Sequence, residues 1–76
     1  PDLQVEIAGH TDDDGAEDEN LRLSQERADA VRSHLIGAGV DGARLVAVGY
    51  GQSEPKVPND SLDNKALNRR IDFIVR

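Results

Sequence analysis

Between Leu3 and Gly49 the hydrophobic pattern switches period twice, and that alternation restricts the fold more than any other feature of the chain. Leu3, Val5 and Ile7 alternate with Gln4, Glu6 and Ala8, which predicts a strand with one buried face, ended by Gly9. In "LSQERADAVRSHLIGAG", Ala28, Val31, Leu35 and Ala38 recur at helical spacing, with Ser24 placed to cap the start and Gly37 or Gly39 to stop the helix. "ARLVAVG" reads as a short buried strand from Arg44 to Gly49. "YGQSEPKVPND" is a loop punctuated by Gly51, Pro55 and Pro58, and Ser61 is placed to cap a short helix reaching Leu67. "RRIDFIVR" closes as a strand with Ile71, Phe73 and Val75 on one face. Strand, helix, strand, short helix and strand together predict an α/β two-layer sandwich, the first two strands joined by a parallel crossover.

A chain of 76 residues holds a single domain, 1–76. The domain opens directly on a strand, so it is expected to be cut from a longer precursor. Without cysteine, disulfides and thiolate metal sites are excluded. No apolar run is long enough to span a membrane. A formal net charge of −6 repels phosphate backbones and anionic lipid, which argues against nucleic-acid and membrane-surface binding.

Acid concentrates in "GHTDDDGAEDEN", Gly9 to Asn20. Aligned as a calcium loop on Gly15, the stretch puts His10 at the first ligand position and Leu21 at the last, so the strongest ligand positions fail. A weak divalent-cation loop and a solvated loop tip stay open as alternatives. "GYGQSE" lacks the third glycine of a dinucleotide loop. No nucleophile stands beside a base: Ser24 reads as a cap, His34 as a structural helix residue and His10 as an organiser of the loop. The expectation is a protein without catalytic residues, cofactor or metal.

The order "GHTD", Gly15, Asn20, "LSQERA", Val31, "VGYG", Pro55 and "NRR" resembles the C-terminal peptidoglycan-binding domain of OmpA-type outer membrane proteins, found also in peptidoglycan-associated lipoproteins and flagellar stator proteins. The resemblance implies a mixed sheet with helices on one side, here lacking the family's first strand and helix. It implies non-covalent binding of peptidoglycan through the diaminopimelate of its stem peptide, on the periplasmic side of the envelope, by a domain whose parent protein is attached to a bacterial membrane. It carries the ligand-binding roles onto Asp12 and Arg27, with Thr11, Asn20 and Arg69 beside them, while Arg70 turns away to a surface acid and Asn68 is structural.

The chemistry is coherent. Diaminopimelate ends in an ammonium and a carboxylate on one carbon, and a fixed anion and a fixed cation recognise such a zwitterion. Arg27 is expected in the first turn of its helix, where backbone N–H groups would also favour a carboxylate. Spacing alone favours a plain ion pair between Asp12 and Arg27, and the resemblance reverses that preference. Positions 13 and 14, often neutral in the family, are aspartates here, and position 19, often aromatic, is Glu19. These departures leave room for an envelope protein-interaction domain with a degenerate pocket as the other alternative.

Overall fold

A computed structural model describes residues 3–76. Strand β1 (Val5–His10) leads into helix α1 (Glu17–Gly37), then a 3-10 turn (Gly42–Arg44), strand β2 (Leu45–Gly51), helix α2 (Leu62–Asn68) and strand β3 (Ile71–Val75). The sheet order is β2-β1-β3: β1 runs parallel to β2, with Val5 opposite Leu45, and antiparallel to β3, with Ile7 opposite Phe73. The parallel crossover through α1 and the mixed sheet are those expected from the sequence.

Position in the sheet alters the reading of β1. As the central strand it is buried on both faces from Glu6 through His10, whereas Leu3 lies outside the strand and is exposed. Glu6 is 2% exposed on the face away from α1. It is tolerated there because the Tyr50 hydroxyl donates to it at 2.6 Å and the Arg76 guanidinium pairs with it.

Gly9 does not end the strand. A Cβ at Gly9 would stand 2.3 Å from the Ser24 carbonyl oxygen, and one at Gly49 would stand 2.4 Å from the Gln25 backbone nitrogen. The two glycines let α1 lie directly on β1 and β2.

Ser24 is likewise not a cap. The helix begins seven residues earlier, after Ala16, and Ser24 is fully buried inside it. Its hydroxyl donates to the Leu21 carbonyl at 2.8 Å and accepts the Gly51 N–H at 2.8 Å, bolting helix to strand. β2 runs two residues further than expected because Gly51 pairs with His10 after a bulge that leaves Tyr50 as the extra residue. The short helix starts as expected: Ser61 accepts the Asn64 N–H at 3.1 Å.

The apolar core is small. Ile7, Ala28 and Leu45 are its buried members, flanked by Val5, Val31, Leu35, Ala47 and Ile71. Phe73 and Val75 share a face with Ile71 but remain 58% and 65% exposed, because α1 covers β1 and β2 rather than β3. Polar stitching supplements so little apolar packing. Asn68 is fully buried, accepts the N–H groups of Lys56 and Val57, and donates to the Val57 carbonyl and the Asn59 side chain.

Candidate functional site

The chain leaves β1 without leaving the sheet's support. Thr11 donates its N–H to the Gly51 carbonyl at 2.9 Å, which carries the strand geometry one residue past His10. Its hydroxyl, 4% exposed at the residue level, donates to the Asp12 carbonyl at 2.8 Å. Asp12 is therefore presented from a rigid mount and is itself 6% exposed.

Each carboxylate oxygen of Asp12 has one partner. Oδ1 accepts the Asp14 N–H at 3.0 Å, and Oδ2 accepts from Arg69 Nη1 at 2.5 Å. Two ionised oxygens offer about four acceptor positions, so capacity remains for an incoming donor. Burial pushes the Asp12 pKa up, but the Arg69 hydrogen bond, the Asp14 N–H and the charges of Arg69 and Lys65 outweigh it, holding the group below its ordinary value of 3.8. Asp12 is an anion throughout the neutral range.

Asn20, 8% exposed on α1, donates its amide to the carbonyls of Asp12 at 3.3 Å and Asp14 at 2.9 Å and to the Gln52 side chain at 2.9 Å. It pins the acidic loop to the first turn of the helix. Lys65 on α2 and Arg69, the residue that caps its C-terminus, are four residues apart and face the same loop. Lys65 Nζ lies 2.6 Å from Asp14 and 3.5 Å from Asp13, so these two aspartates are not free in solvent.

Arg27 lies in about the third turn of α1, counting 3.6 residues per turn from Glu17, and not in the first. The helix-start amides therefore sit beside the acidic loop and give Arg27 no help. Among the described residues Arg27 makes no side-chain hydrogen bond or ion pair, and it is exposed. The Asp12–Arg27 pair favoured by spacing alone is absent; Asp12 takes Arg69 instead. Gln25 reaches over β2, donating to the Ala47 carbonyl and accepting from the Gly49 N–H. Arg27, about 200° further round the helix, leaves a different flank of α1 from Gln25.

Arg70 points away from Asp12. It binds Asp72 at 3.0 Å and the Glu54 carbonyl at 3.3 Å. With His10, Tyr50, Pro55 and Ile74 it lines a cleft of about 360 Å³. The His10 ring stacks on Tyr50 at 5.3 Å, with Nε2 3.6 Å from Asp72 and a buried Nδ1 lacking a hydrogen-bond partner.

Burial first, and the Arg70 charge second, hold the His10 pKa below its ordinary 6.5, against the opposing pull of Asp72 and Glu54. The unfolded chain then binds the proton more readily than the folded one. His10 should contribute full stability above about pH 6.5 and lose it progressively as pH falls toward the depressed folded value. Urea midpoints at pH 7.5 and 5.5 check this: the wild type should lose stability between them and His10→Gln should lose less.

Sequence reasoning did not single out Lys65, whose one available signal was its four-residue spacing from Arg69. Among the described residues no group of three metal-ligating side chains converges.

Residues 1–69 match the OmpA family. The chain is 46% identical over 75 residues to outer membrane porin F of Pseudomonas fluorescens, covering 99% of this chain and 23% of the relative. It is 39% identical over 75 residues to the peptidoglycan-binding protein ArfA of Mycobacterium bovis, with the same two coverages. The chain thus spans about a quarter of the length of these relatives. The crystal structure of the peptidoglycan-associated lipoprotein from Burkholderia pseudomallei superposes with a TM-score of 0.95 at 37% identity, over 100% of this chain and 64% of that one. Sequence match and superposition agree over nearly the whole chain, and the protein belongs to the OmpA family.

Proposed function

We propose that the domain binds peptidoglycan non-covalently and without cleaving it, by gripping the free amino-acid end of diaminopimelate in the stem peptide. The observation that carries this reading is an ionised, buried Asp12 at the end of a rigid strand, together with an exposed Arg27 that makes no side-chain hydrogen bond or ion pair among the described residues. In the proposed complex the ligand ammonium takes the remaining acceptor capacity of Asp12, and Arg27 takes the ligand carboxylate through its planar fork. Arg69 keeps Asp12 ionised and aimed, and its half-exposed guanidinium adds donors at the rim. Thr11 and Asn20 fix the loop that carries Asp12, since their side-chain donors go to backbone carbonyls and Gln52.

Kinship with a protein named peptidoglycan-binding and with a peptidoglycan-associated lipoprotein supports the ligand class. On this reading the parent protein is attached to a bacterial membrane and the domain tethers it to the wall from the periplasmic side. A divalent-cation loop is disfavoured because the Lys65 ammonium already occupies the space between the Asp13 and Asp14 carboxylates. Calorimetric titration with a diaminopimelate-containing stem peptide tests the proposal. Saturable binding, unchanged by a calcium chelator, is expected; absence of binding, or binding that requires calcium, contradicts it.

A further inference from the structure

Three consecutive carboxylates, Asp12 to Asp14, would ordinarily attract any free cation. Here α2 turns two cations toward them. Arg69 takes Asp12, and Lys65 is seated on Asp14 and Asp13. The Lys65 side chain is 23% exposed, and its Nζ lies 2.6 Å from Asp14 Oδ1 and 3.5 Å from Asp13 Oδ1, so one ammonium bridges the two carboxylates. Two cations against three anions leave one excess negative charge, available to a ligand ammonium.

We propose that Lys65 is a specificity-determining residue of this site: its tethered ammonium fills the Asp13–Asp14 carboxylates, excludes free cations, and leaves Asp12 and Arg27 to select a zwitterion. The proposal rests on the reading of Asp12 and Arg27 as a clamp for an amino-acid end. It explains why two extra aspartates beside Asp12 do not turn the loop into a general cation trap.

The test uses Lys65→Ala and Lys65→Arg, with backbone amide shifts of Asp13, Asp14 and Gly15 as readout. Propylammonium replaces what Lys65→Ala removes beyond Cβ. It should move those three amides saturably in Lys65→Ala and leave them unmoved in the wild type and in Lys65→Arg. In parallel, the affinity for a stem peptide amidated at the diaminopimelate carboxylate should rise in Lys65→Ala by about threefold or more relative to the free acid, the range for a partly exposed charge pair. Lys65→Ala amides that ignore propylammonium while the variant keeps its helical circular dichroism overturn the proposal, as does an unchanged preference between the two peptides. Because the amine titration needs no wall ligand, silence of every variant toward both peptides counts against the clamp, while the amine result still decides the role of Lys65.

Discussion

Gly9→Ala is expected to remove a large part of the domain's stability. The added methyl would sit 2.3 Å from the Ser24 carbonyl oxygen and 3.1 Å from its carbon, both backbone atoms in the middle of a 21-residue helix. Neither can swing aside as a flexible side chain would. Overpacking in a well-packed core typically costs about 1–3 kcal/mol even where side chains can adjust. Here α1 would have to lift off β1, parting Ser24 from Gly51 and Gln25 from β2. At about 0.05–0.15 kcal/mol per residue, a domain of this size has only about 4–11 kcal/mol to lose. Urea denaturation followed by circular dichroism checks the prediction. A Gly9→Ala midpoint close to the wild type would show that α1 does not rest on β1 as described.

The same contact shows how much of the fold is legible in the sequence. Period alone gives the order of elements, the parallel crossover and the cap at Ser61, because these depend on local spacing and local hydrogen bonds. Gly9 and Ser24 misled for a common reason. A glycine after an alternating run looks like a stop, and a serine before an apolar repeat looks like a cap, yet each is small because helix and strand touch there. Glu6 could not be placed inside from its alternation, since its burial depends on Tyr50 and Arg76, 44 and 70 residues away. Phe73 and Val75 were assigned a common face, but how far that face is covered depends on α1, which lies over the other two strands.

In the candidate site, Asp12, Thr11 and Asn20 do converge at the end of β1, and Arg69 joins them from α2. Arg27 stands apart as an exposed cation in the third turn of α1, so the electrostatic help expected from the helix start does not reach it. Asp13 and Asp14, opaque as a charge run, acquire a partner only when α2 folds back and brings Lys65 across 51 positions of sequence.

Asp12→Asn is expected to produce the largest loss of ligand affinity of any single substitution. It keeps the shape of the side chain and its acceptor oxygen for the Asp14 N–H, but removes the charge that would hold an ammonium. A hydrogen bond to a charged group contributes about 1.5–3 kcal/mol, which corresponds to a loss of roughly 10- to 150-fold. The substitution also removes the ion pair with Arg69. Because the folded-state pKa of Asp12 is depressed, its stabilising contribution is present above the ordinary value of 3.8 and is lost as pH falls through the depressed folded value. Asp12→Asn should therefore be less stable than the wild type at pH 7, and the difference should shrink in strong acid. Titration calorimetry for binding and urea midpoints at pH 7 and pH 2.5 separate the two effects.

Lysine is diaminopimelate without the second carboxylate, so a pair of stem peptides differing only in that residue isolates the group assigned to Arg27. The most direct measurement compares both peptides on the wild type and on Arg27→Ala, whose fold should be intact because Arg27 is exposed and makes no side-chain hydrogen bond or ion pair among the described residues. The wild type is predicted to bind the diaminopimelate peptide about tenfold or more tightly than the lysine peptide, the scale of a charge-assisted bidentate pair. Arg27→Ala is predicted to bind the two alike, and a preference that survives Arg27→Ala would contradict the clamp.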